Sequence, residues 1–121
     1  MHVLNEYKEH VQLAFHCGSA LIVLGRNDKN KDLISSTAPL LVELLHIHRH
    51  EQSVLCQFIG VISGATLRMP DNVDVFISTG VIHPIVMAMS AYETNWKLQR
   101  WCCIALRNFV SRDVNKEHWY A

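Results

Sequence analysis

The run Leu98-Gln99-Arg100-Trp101-Cys102-Cys103-Ile104-Ala105-Leu106-Arg107-Asn108-Phe109 has counterparts twice upstream in the same chain. Residues 15–30, 57–72 and 100–115 superpose without a gap, at a period of 42–43 residues. In this overlay four columns run through the three copies: Leu13, Leu55 and Leu98; Cys17, Ile59 and Cys102; Ala20, Ile62 and Ala105; Leu24, Thr66 and Phe109. Thr66 alone weakens the apolar pattern. The columns are separated by four, three and four residues, the spacing of one face of an α-helix and not of one face of a strand. A period of this size marks a helical repeat, in which one unit cannot bury its own apolar face and stacks on its neighbours. The expected fold is therefore all-α, with long helices centred near Ala20, Ile62 and Ala105.

Outward from these helices, the chain reads as cycles of one short and two longer segments. A long helix is expected over residues 6–25, closing at Gly25 where a left-handed cap is cheap. The polar run Arg26-Asn27-Asp28-Lys29-Asn30 follows as a loop, then a short helix over 30–35. Pro39 suits the first turn of the next helix, since its missing N–H would have had no partner there, and that helix runs to His48. The second cycle has a long helix over 52–67, a short one over 72–78, a break at Gly80 and a helix over 82–92. The third has a long helix over 95–111, and residues 115–119 look like the start of another short one.

Pro39-Leu40-Leu41-Val42-Glu43-Leu44-Leu45 and Gly80-Val81-Ile82-His83-Pro84-Ile85-Val86 resemble the second helix of an armadillo repeat, and Leu98-Gln99 through Phe109 resembles the third. The resemblance covers most of the chain. It implies a right-handed α-solenoid of three-helix repeats: residues 1–28 as the third helix of a first repeat, 29–70 as a second, 71–112 as a third and 113–121 as the start of a further one. It also implies a concave groove lined by the third helices, which in this family receives extended peptides or partner proteins. In importin-α-like repeats a tryptophan and, four residues later, an asparagine grip the peptide. Asn108 matches that asparagine, but Ile104 stands in the tryptophan slot, and the paired positions of the other repeats are Ser19 with Val23 and Val61 with Ala65. The nuclear-signal clamp is absent.

The groove column instead offers His16, Phe58 and Trp101, one position per repeat, on a stripe through residues 97, 101, 104 and 108 displaced by one from the core stripe. The expected partner-binding residues are His16, Phe58, Lys97, Arg100, Trp101, Ile104 and Asn108. Rings along a concave face supply large contact area at low rotamer cost. The alternative, that Phe58 and Trp101 fill partly buried space between adjacent helices, suits them slightly better.

Other chemistry is thin. His46 and His50 lie one helical turn apart, but Arg49 intrudes and Glu51 is the sole nearby ligand type, so this stretch reads as a solvated turn and no metal is expected. Cys102 and Cys103 lack Cys-x-x-Cys spacing and read as small core residues. With Cys17 and Cys56 they are expected as free thiols. There is no Gly-x-Ser-x-Gly elbow, phosphate loop or His-Glu-x-x-His, so neither enzymatic activity nor a cofactor is expected.

Composition bounds the rest. The chain has 121 residues, half of them hydrophobic, with 11 basic and 11 acidic side chains. That suits one domain with its own core, and no basic run exists to neutralise a row of phosphates, so nucleic acid is not an expected partner. No apolar run approaches the roughly 18–20 residues of a membrane span, and the N-terminus lacks the design of a secretion signal. The expected location is the cytoplasm, with the nucleus open as well. The expected partner is a protein or peptide. The alternative is a structural or oligomerising module, because roughly two and a half repeats fall short of the three copies and polar caps such stacks need. The chain is then a fragment of a larger solenoid, or a homodimer paired through its terminal helices.

Overall fold

The computed structural model describes residues 2–111, and all regular structure among them is helical: α1 (His2–Glu6), α2 (Val11–Leu24), α3 (Asp28–Ser35), α4 (Ala38–Ile47), α5 (Gln52–Thr66), α6 (Pro70–Ser78), α7 (Ile82–Ala91) and α8 (Trp96–Val110). The short helix expected from residue 115 lies outside the described residues. The long helix expected over 6–25 is divided. His10 takes an extended backbone, and its Nδ1 accepts from the Leu13 N–H at 3.2 Å, which caps α2 and separates it from α1. Asn27 and Asn95 cap α3 and α8 in the same manner. Pro39 and Pro70 stand in the first turns of α4 and α6, where no backbone donor is missed.

Gly25 ends α2 as expected but for another reason. Its φ is −71°, an ordinary helical value. A Cβ there would lie 3.1 Å from the Leu21 carbonyl and 3.3 Å from the Ile34 side chain, so close packing of α3 explains the residue. Gly80 does take a positive φ, +79°, and α6 and α7 meet at 79° across that break.

The three long helices lie side by side with α5 in the middle, against α2 on one flank and α8 on the other. α4 packs on α5, and α7 packs on α8. The core columns of the two later repeats are buried: Leu55, Ile59, Ile62 and Thr66 in α5, and Leu98, Cys102, Ala105 and Phe109 in α8, none more than 3% exposed. In α2 the expectation fails. Leu13 and Cys17 are only half-buried, Ala20 is exposed, and Leu24 is 53% exposed. The residues that α2 does bury are Ala14 and Gly18, on the side facing α5.

Glycines set how closely the long helices approach. A Cβ on Gly18 would stand 2.8 Å from the Gln57 Cβ and 3.6 Å from the Phe58 ring. One on Gly60 would stand 3.4 Å from the Trp101 indole. Each glycine thus receives the ring of the following long helix; a side chain at Gly18 would force α2 and α5 apart, while one at Gly60 would press the tip of Ile22, 3.2 Å away.

Polar stitches join α5 to α8. The Asn108 amide donates to the Ser63 carbonyl (2.9 Å) and to Thr66 Oγ1 (3.2 Å), while Thr66 Oγ1 donates to the Ile62 carbonyl (2.8 Å). Thr66, the polar exception in its column, therefore costs little, because its hydroxyl is satisfied within the helix and by the neighbouring one. Elsewhere Tyr92 Oη donates to the Arg49 carbonyl at 2.8 Å, and Asn95 donates to Gln52 Oε1 at 2.9 Å.

Candidate functional site

A cleft of about 460 Å³ crosses all three long helices. Its floor is α5, where Gly60 lies buried beneath Ile22 and Trp101 and Gly64 is open; a Cβ on Gly64 would meet nothing within 4 Å. Ile22 of α2 forms one wall, and Trp101 and Ile104 of α8 form the other. Arg26, Lys31 and Arg107 surround the end near the last turn of α5, where Leu67 also lines the cleft. Arg26 and Arg107 are exposed. Lys31 is 7% exposed and is held by the Leu67 carbonyl and by Asp28 Oδ1, both at 3.2 Å. Buried cations persist only with such partners, so Lys31 is fixed in place, whereas Arg26 and Arg107 are free to turn toward the cleft.

The structure sorts the expected binding residues. Trp101 and Ile104 line the cleft, and the Arg100 guanidinium sits 5.4 Å from the Trp101 ring centroid, within cation–π range. Lys97 is exposed on α8, one turn before Trp101. His16 is exposed on α2 beside Phe15, their rings 5.5 Å apart edge to face, and does not line the cleft. Phe58 and Asn108 are corrections. Phe58 is 0% exposed, its ring lodged against Gly18, so no partner can reach it. Asn108 is 7% exposed with its amide spent on Ser63 and Thr66. The open stripe of α8 thus runs through Lys97, Arg100, Trp101 and Ile104 as expected, but turns at its end so that Arg107 takes the place of Asn108. The signal for this turn is in the repeat itself: Ile22, Gly64 and Arg107 occupy one column of the overlay, and all three line the cleft.

Two further expectations are corrected. Cys103 is exposed rather than a core residue, since Cys102 takes the buried side of α8. His48 is no part of a solvated turn: it is 2% exposed, and its Nε2 donates to the Lys8 carbonyl at 2.6 Å. His46 and His50 are exposed beside a smaller cleft of about 350 Å³ between α4 and α7, which His83 and Met87 also line. Burial pushes the Cys102 thiol up to about 12, with smaller contributions from Cys103 and Cys56. Burial likewise raises Cys56, opposed by the Lys97 ammonium. A thiol so raised is a poor nucleophile.

Among the described residues no helix is long and apolar enough to cross a membrane alone. Compared with protein-family models, with curated proteins and with solved structures, the chain finds no match in any of the three. The functional reading rests on its own residues.

Proposed function

We propose that this chain is a protein-interaction module built from armadillo-type three-helix repeats in a right-handed solenoid, whose third helices, α2, α5 and α8, receive an extended partner segment. The observation that carries the reading is the continuity of the cleft across all three long helices, with an indole on its wall and a glycine floor. Bare helix backbone lets another chain approach closely, and a half-buried tryptophan offers a large rigid contact at low entropic cost. The test is selection from a random-peptide display library on the immobilised chain, followed by affinity measurement. Trp101→Ala should weaken the selected peptides by about 2–4 kcal/mol, the cost of losing a hot-spot aromatic, while the protein stays folded. Enriched peptides that bind the folded variant unchanged would sink the reading.

A second reading is favoured by the outer face of α2, where Val23 and Leu24 are 57% and 53% exposed beside the exposed Ala20. An exposed apolar patch at the end of a helix is a surface for association, and self-pairing through α2 would cover it. Sedimentation should then show mass rising with concentration, and Leu24→Asp should abolish the rise. A monomer at all concentrations would exclude it.

A further inference from the structure

The balanced charge of the whole chain hides a strong segregation. The 11 acidic side chains fall on the short helices, second helices, loops and terminal residues, and none lies in α2, α5 or α8. The long helices carry Lys97, Arg100 and Arg107 instead, all on the open face of α8. At the cleft the bias is sharper: Arg26, Lys31 and Arg107 line it, and among the described residues no carboxylate does. Asp28 reaches Lys31 from outside the lining, with its own side chain 81% exposed. Neither Arg26 nor Arg107 has a carboxylate partner among the described residues.

Building on the proposed function, we infer that the segment held in this cleft is an acidic peptide in which carboxylates alternate with apolar residues. An extended chain points successive side chains to opposite sides. Apolar ones would meet Ile22, Trp101 and Ile104, while carboxylates meet the guanidinium groups of Arg26 and Arg107, which bind planar anions in a fork. Basic segments are repelled by the same groups. A nucleic acid fits less well, because three cations around a largely apolar cleft cannot match a row of phosphates. Complementary charge of this exposed kind governs capture and selectivity, and it weakens as salt shortens the screening length to about 8 Å at physiological ionic strength.

The experiment is fluorescence anisotropy on the full chain with four labelled probes: a peptide of alternating Asp or Glu and Leu, its neutral counterpart with Asn and Gln, its basic counterpart with Lys, and oligothymidylate. The acidic peptide should bind about tenfold or more tighter than the neutral one, and the gap should shrink as salt rises. The double variant Arg26→Glu with Arg107→Glu, both at exposed positions, should invert the order so that the basic peptide leads. Arg107→Gln serves as the milder control, and the melting temperature of each variant checks that it is folded. If acidic and neutral peptides bind equally and Trp101→Ala abolishes both, the groove reading stands and the acidic inference fails. If no peptide binds, both fail. Oligothymidylate binding tighter than the acidic peptide overturns the inference in favour of nucleic acid.

Discussion

The first long helix and the second carry matching apolar columns and bury them differently. Ile59 and Ile62 of α5 are fully buried, whereas Cys17 and Ala20, their counterparts in α2, are half-buried and exposed. The difference lies in what stands beside each helix. α5 has α4 against it and lies between α2 and α8, while α2 packs on α5 and the five residues of α1. An apolar column is thus a request for a neighbour, and the fold answers it only where a second helix is in place.

The largest effect should come from charging that column. Ile62→Asp puts an unpaired carboxylate in the middle of the core, a cost of several kcal/mol against a total stability on the order of 5–15 kcal/mol, and should leave the chain unfolded. Ala20→Asp, one repeat earlier in the same column, should lower the stability read from urea unfolding by less than about 1 kcal/mol, because the site is already solvated. Equal losses at the two positions would break the comparison.

A second contrast concerns neighbours on α8. Asn108→Ala removes the amide that satisfies the Ser63 carbonyl and Thr66 hydroxyl across to α5, and should cost about 1–3 kcal/mol in denaturant unfolding. Arg107→Ala, one residue earlier and exposed, should cost no more than about 1 kcal/mol, the helix-end charge term. The reverse order would restore Asn108 to the binding surface and take Arg107 off it.

Thiol reactivity sharpens the same division between faces. Cys103 should label rapidly under native conditions and Cys102 only as the protein opens, since burial holds the Cys102 thiol near 12 against an ordinary value of 9.0. Its folded value lies above the unfolded one. The contribution of the neutral thiol to stability is therefore fully present below about pH 9 and is lost as pH rises toward 12. Cys102→Ala should flatten that decline, and a variant that unfolds on the wild-type alkaline curve would show that other groups cause it.

The helices were legible because periodicity and caps are local: Pro39, Gly80 and the apolar columns place seven of the elements within a few residues. The split between α1 and α2 was not, since a histidine side chain acting as a cap leaves no periodic trace. Half of the cleft could be read, through Trp101 and Ile104. The rest depends on helix rotation: a stripe one residue off exchanges Asn108 for Arg107, and only the packing of α5 on α8 decides which faces inward. Phe58 carried its own warning, because Gly18 offers a ring-sized seat whose effect appears only when α2 and α5 are side by side.

The smallest predicted effect separates the two kinds of glycine on these helices. Gly18 is required by contact, since any Cβ would fall 2.8 Å from that of Gln57, so Gly18→Ala should destabilise by prying α2 from α5. Gly64 lies within α5 with open cleft above it. Alanine there adds no clash and reduces the freedom of the unfolded chain, so Gly64→Ala should stabilise by about 0.4–1 kcal/mol, read as a raised melting temperature. The added methyl also occupies the cleft floor, so the variant should hold any selected peptide less tightly while being the more stable protein. A gain in stability with unchanged affinity would place the peptide away from Gly64 and narrow the contact surface to the α8 wall.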